Sequence, residues 1–142
     1  MFGLLSPPVR AIATLNAATC NNRSYVAGQP RKIMPHEKHQ SCIDACNDCK
    51  VACEHCATEC LHEQDVKMMA RCIELDRACA TICATAARLM ASGSEFAARI
   101  CGICAEICQA CGDECAKHKA QHCQDCAKAC HRCAEECRKM AA

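Results

Sequence analysis

CQDCAKACHRCAEEC, residues 123–137, sets five cysteines at steps of three, four, three and four. That alternation is the heptad rhythm that keeps side chains on one face of an α-helix. Cys123, Cys126, Cys130, Cys133 and Cys137 therefore form a single stripe where a helix normally carries leucine. The same rhythm recurs in Cys101, Cys104, Cys108, Cys111 and Cys115, and in Cys42, Cys46, Cys49, Cys53, Cys56 and Cys60. A thinner version holds Cys72, Cys79 and Cys83. Of the 20 cysteines, only Cys20 stands outside the stripes.

Four stripes predict four helices, over about residues 36–61, 65–90, 94–118 and 121–140. Between the second and third, Ser92-Gly93-Ser94-Glu95 offers a break and a capping box, with Ser92 as N-cap and Glu95 three residues on. Short links between helices of this length imply antiparallel neighbours. The expected fold is all-α, an up-down-up-down four-helix bundle with a cysteine-lined core over residues 36–142. Residues 1–35 lack the rhythm, carry Arg10, Arg23, Arg31 and Lys32 with no acid before Glu37, and read as a poorly ordered or loosely helical extension. Pro7, Pro8 and Arg10 interrupt any secretory apolar core, so a cytoplasmic location is expected, with export or organelle import as the alternative. Cys20 is then a free thiol.

Composition narrows the class. A net charge of +1 gives no electrostatic case for nucleic acid or an anionic membrane, and one Tyr, two Phe and no Trp exclude a base-stacking platform. No run approaches the roughly 18 apolar residues of a membrane span. Glu54, Glu59, Glu63, Glu74, Glu114, Lys117, Lys128, Arg132, Glu135, Glu136, Arg138 and Lys139 fall between the thiols as solvated helix surface. Large apolar groups concentrate in Ile73, Ile82, Leu89, Phe96, Ile100, Ile103 and Ile107, which are expected to pack the second helix on the third. Any surplus there is a face for self-association. Gly102 and Gly112 each cost a helix about 1 kcal/mol and are expected where another backbone comes close.

A core of small, weakly space-filling cysteines has no advantage over leucine in an ordinary bundle. Disulfide scaffolds are short and loop-rich, whereas this spacing is helical throughout. Metal binding uses every feature, because cysteines three or four apart on one helix bring sulfurs together while facing helices add more. Zinc takes isolated groups of four ligands, and a continuous ladder defines none. Bacterial ferredoxin clusters use C-x2-C-x2-C-x3-C-P; this chain has C-x2-C-x3-C-x2-C and no proline after any cysteine. Cu(I) is soft, prefers thiolate and accepts few ligands, so a ladder suits it, and bridging sulfurs give about one ion per core cysteine, on the order of 20.

CIDACNDCKVACEHCATEC, CGICAEICQACGDEC and CQDCAKACHRCAEEC, taken together, resemble the bacterial copper storage proteins, particularly their cytosolic branch. The resemblance covers about residues 36–140. It implies a four-helix bundle, usually tetrameric, that fills with Cu(I) through thiolates. The N-terminal extension departs from that pattern and leaves the compartment open.

Register places the remaining candidate ligands. Continuing the stripes reaches His118 and Met69, while His62 and His122 lie just beyond Cys60 and just before Cys123. The topology brings all four, with Met68, to one mouth of the bundle, where they can receive Cu(I) before the thiols, as the resemblance also implies. His39 and Met140 fall in register at the far end as ligands or a plug. Asp76, midway between Cys72 and Cys79, is an oxygen ligand or a paired buried acid. His55 and His131 lie off the stripes. Six C-x-x-C pairs permit a thiol-disulfide reading, but the βαβ context of such enzymes is missing. The chain therefore reads as a non-enzymatic Cu(I) store, with copper delivery or sensing, and an iron-sulfur or redox protein, as alternatives.

Overall fold

The computed structural model describes residues 34–142; the extension before them, with Cys20, lies outside the described residues. A short helix α1 (Pro35–Lys38) leads into α2 (Gln40–Cys60), followed by α3 (Val66–Ala91), α4 (Ala97–Cys115) and α5 (Gln121–Ala141). The four long helices pack as neighbours in the cycle α2–α3–α4–α5–α2, as short links between antiparallel helices require. None is long and apolar enough to cross a membrane.

Side-chain size explains the closeness of the packing. The core is nineteen buried cysteines flanked by buried alanines such as Ala45, Ala80, Ala105, Ala127 and Ala134. Such short side chains leave so little between the axes that sulfurs touch across the diagonals, at 4.0 Å for Cys53 and Cys111 and 3.8 Å for Cys83 and Cys133. Ile73, Ile82, Leu89, Ile100 and Ile107 pack partly buried beside this core, whereas Phe96 and Ile103 remain exposed. Polar pairs tie the outside, among them Ser41 Oγ donating to Glu136 (2.8 Å) and Arg132 paired with Asp48 (2.9 Å). Such exposed pairs contribute roughly 0–1 kcal/mol each, so the core carries the fold.

Helix boundaries correct the sequence reading in three places. The first expected helix is broken at His39, whose backbone leaves the helical region at φ −117° and ψ 16°. The capping box at Ser92 does not form. Ser92 instead ends α3, where Gly93 takes a left-handed φ of 67° and the amides of Gly93 and Ser94 bond back to Met90 and Leu89. That is a Schellman ending, which needs the glycine. Ser94 Oγ accepts the Phe96 amide at 3.3 Å in the turn before α4, which starts at Ala97 rather than near residue 94, with Phe96 at its N-cap position and no side-chain cap. At its other end α4 stops at Cys115, and Gln124 donates to the free carbonyls of Ala116 and His118. Asp65 caps α3 by accepting the Met68 amide.

The two glycines of α4 differ. A Cβ on Gly112 would stand 2.6 Å from the His131 ring and 3.2 Å from Cys130 Cβ, so α5 packs against bare backbone there. A Cβ on Gly102 would make only an ordinary 3.8 Å contact with Ala141. Gly102→Ala is therefore expected to stabilise the metal-free protein by about 0.5–1 kcal/mol through helix propensity. Gly112→Leu is expected to destabilise it by about 1–3 kcal/mol through overpacking. Urea denaturation of the reduced protein measures both, and equal effects would contradict the assignment. The same reduced, metal-free protein is expected to give a helical circular dichroism spectrum, since the bundle buries its thiols without an ion.

Candidate metal centre

All nineteen bundle cysteines are free and buried. Each stripe reaches the centre because its three-four spacing follows the helix face, and opposing stripes interleave. Between α2 and α5 the sulfurs step along the bundle, with Cys42 and Cys46 each 3.7 Å from Cys137, Cys49 and Cys53 at 3.6 and 3.5 Å from Cys130, and Cys56 at 3.8 Å from Cys123. Between α3 and α4, Cys72 meets Cys115 at 3.4 Å, Cys79 meets Cys108 at 3.5 Å, and Cys83 meets Cys104 at 3.7 Å. Sulfurs bound tetrahedrally to one ion at about 2.3 Å stand roughly 3.8 Å apart, so these spacings already match a shared metal.

The groupings decide what kind of metal site this is. Four-sulfur sets with all atoms within 4.8 Å include Cys46, Cys104, Cys133 and Cys137; Cys49, Cys83, Cys108 and Cys133; Cys49, Cys53, Cys79 and Cys130; and Cys53, Cys111, Cys126 and Cys130. Consecutive sets share members: Cys133 belongs to the first two, Cys49 to the second and third, Cys53 and Cys130 to the last two. A closed four-ligand site keeps its thiolates to itself, whereas bridging sulfurs belong to a continuous cluster.

Asp76 interrupts the α3 stripe and is fully buried. Its Oδ1 accepts from the thiols of Cys111 (3.1 Å), Cys126 (3.3 Å) and Cys115 (3.4 Å), and its Oδ2 from Cys72 (3.7 Å). Burial, reinforced by the surrounding sulfurs, pushes its carboxyl up to about 10. In the metal-free core Asp76 is thus a neutral acid bonded to thiols.

One end of the bundle carries imidazoles. His122 turns Nδ1 toward Cys123 (3.4 Å), Cys56 (3.6 Å) and Cys60 (4.0 Å), while Nε2 lies 2.9 Å from Glu63 Oε1. A carboxylate only accepts, so Nε2 is the donor and the Nδ1 lone pair faces the sulfurs. Those sulfurs belong to the endmost set, Cys56, Cys60, Cys72 and Cys123. Burial holds the Cys60 and Cys123 thiols above their ordinary range. His118 is half-buried; its Nε2, 3.6 Å from Glu114, is the one buried side-chain nitrogen or oxygen among the described residues without a hydrogen bond. Met69 is buried at the same end, but His62 and Met68 are exposed, and the structure does not bring them to the thiols. Glu63 was legible only as surface charge. Its place in the α2–α3 link, at the same mouth as His122, was the available clue to its orienting role. His55 is exposed, and His131 pairs with Asp113 on the outside.

A family model for copper storage proteins matches residues 35–142. The chain belongs to the copper storage protein family. Among solved structures it is similar to a Cu(I)-bound copper storage protein, 55% identical with a TM-score of 0.70, over 72% of this chain and 97% of that one. The metal-free copper storage protein 3 of Bacillus subtilis is 54% identical with a TM-score of 0.68, over 72% and 98%. A cytosolic copper storage protein of Streptomyces lividans, in a structure with five coppers, is 34% identical with a TM-score of 0.72, over 75% and 94%. No curated protein matches the chain in sequence.

An imidazole lone pair set before buried thiols suits transfer rather than storage, because imidazole holds Cu(I) less tightly than thiolate. Replacing His118 and His122 together by leucine is expected to slow Cu(I) transfer from a bulky bicinchoninate chelator by on the order of tenfold, about 1.4 kcal/mol in barrier. The final capacity is expected to stay unchanged. Stopped-flow absorbance measures the rate, and wild-type kinetics in the double variant would remove the entry role.

Proposed function

We propose that the chain stores cuprous copper, holding Cu(I) on Cys42, Cys46, Cys49, Cys53, Cys56, Cys60, Cys72, Cys79, Cys83, Cys101, Cys104, Cys108, Cys111, Cys115, Cys123, Cys126, Cys130, Cys133 and Cys137. The observation that carries this reading is the sharing of sulfurs between successive four-thiol sets. Charge explains the preference for a monovalent ion. A buried thiolate must be compensated, and one Cu(I) per thiolate leaves the core neutral, whereas zinc held by four thiolates leaves each site two negative charges to bury. Neutrality thus favours a loading of about one copper per core cysteine, on the order of 20 per chain.

Further parts of the reading follow from the same features. His118 and His122, supported by Met69, receive the ion at the mouth; His62 is exposed beside them. Asp76 holds the surrounding thiols in place and offers oxygen if its proton is displaced. Copper is cargo here, so no turnover is assigned. The bundle forms one unit from about residue 36, behind the extension of residues 1–35. Phe96, exposed just before α4, and Ile103, exposed on the same helix as Ile100 and Ile107, support association of copies, with a tetramer the expected state. The likeness to a cytosolic copper storage protein of Streptomyces lividans supports a reducing compartment, the cytoplasm.

Anaerobic titration of the reduced protein with Cu(I), competed against a chelator, tests the reading. Uptake is expected to reach about one ion per core cysteine without visible charge-transfer bands, and to release about one proton per copper near neutral pH, because buried thiols are protonated until metal displaces the proton. Affinity is accordingly expected to fall as pH is lowered. Serine at Cys104, Cys108, Cys126 and Cys130 is expected to lower capacity by about four ions. A plateau at a few ions in the native chain would contradict storage.

A further inference from the structure

The two ends of the thiol ladder are closed differently. At the imidazole end Cys60 and Cys123 are 0% exposed, with His122 packed over them. At the other end Cys42 is 4% exposed, the most of any bundle cysteine, and is one of the residues that line a cleft of about 370 Å³. The cleft is walled by Lys38, His39, Ser41, Glu136, Lys139 and Met140. The cleft lies beside the helix break at His39, where the backbone leaves the helical region. A second cleft of about 260 Å³ shares Lys38, His39 and Met140, so those three form the partition between the two. Cys42 itself stands 3.7 Å from Cys137, which is 3.7 Å from Cys46 and 4.0 Å from Cys133, and is thus the terminal rung of the ladder.

We infer that this cleft is a second copper port, at which Cys42 exchanges Cu(I) directly with a small anionic thiol that carries the ion. The inference rests on the storage reading. Three features of the wall select that class of carrier. A thiol on the wall of a cleft needs no imidazole intermediary to accept Cu(I) from another thiolate, since the ligands are equally soft. Lys38 and Lys139 stand against a single acid, Glu136, which is already engaged by Lys139 (2.6 Å) and by Ser41 (2.8 Å), leaving positive charge for a carboxylate on the carrier. A cleft of this size admits an amino-acid-sized thiol but not copper wrapped in two fused-ring chelators. The exchange changes no oxidation state. The Cys42 sulfur forms a bond to copper and loses its proton, the bond from copper to the carrier sulfur breaks, and the carrier thiolate takes up that proton. Cys137 and Cys46 then draw the ion inward. His39 and Met140, both half-buried at the partition, are soft enough to contact copper in passage.

The test uses the full chain carrying Cys20→Ser, so that only bundle thiols are read. Brief iodoacetamide treatment of the reduced, metal-free protein, followed by peptide mass spectrometry, is expected to modify Cys42 first. Modification of Cys60 or Cys123 first, or of all bundle cysteines at one rate, would overturn the port without any reference to copper. Transfer from Cu(I)–N-acetylcysteine is then followed in protein also carrying His118→Leu and His122→Leu, where it is expected to persist. Adding Ser41→Trp, which fills the cleft from an exposed position outside the ladder, is expected to slow this transfer by on the order of fivefold. Ser41→Ala, which loses only the bond to Glu136, is expected to leave it unchanged. Normal capacity with an unaltered rate in Ser41→Trp overturns the port and leaves storage standing. Failure of the parent chain to load copper overturns storage instead.

Discussion

Contact between sulfurs across four helices is the constraint on which the rest of this structure depends. Cysteine is short, so stripes of it bring helix axes together only if the flanking core positions are also small, and alanine fills them from Ala45 to Ala134. The backbones then approach until diagonal sulfurs meet, as Cys79 and Cys130 do at 3.9 Å. Any leucine within a stripe would hold the helices apart and break the run of contacts. The arrangement trades space-filling for a continuous line of soft donors. Packing beside the line, from Ile73, Ile82 and Ile107, keeps the bundle folded around it.

Charge governs what such a line can hold. A dry core rejects uncompensated thiolates, so the metal-free protein keeps its sulfurs as thiols that donate to one another and to Asp76. Monovalent copper can replace those protons one for one while leaving the interior neutral. The family and the solved relatives, one Cu(I)-bound and another holding five coppers, agree with that chemistry. The two ends of the ladder are built differently. His122 presents a lone pair to buried sulfurs at one end, and Cys42 reaches a cleft at the other.

Much of this was legible in the spacing of the cysteines alone. Three-four alternation fixes a helix face, four such faces with short links fix a bundle, and the topology then brings His118, His122 and Met69 to one mouth. The rule acted through geometry that the sequence states directly. It failed where a local contest decides. Ser92 and Glu95 satisfied the capping-box pattern, but Gly93 between them terminates the preceding helix, and α4 starts only at Ala97. Likewise His62 neighbours Cys60 as closely as His122 neighbours Cys123, yet His62 follows the end of its helix and swings out, whereas His122 sits within the first turn of α5 and faces in. Gly102 and Gly112 looked alike until the path of α5 was known, because the partner of a glycine is not written beside it.

The central claim is that copper is shared among bridging thiolates along the whole ladder. X-ray absorption at the copper edge of fully loaded protein addresses it without mutation or competition. The account predicts a first shell dominated by sulfur, two to three per ion by the bridging scheme, with a clear copper–copper distance from neighbours on common sulfurs. A first shell dominated by nitrogen or oxygen, or sulfur-bound copper with no copper neighbour at full loading, would contradict it.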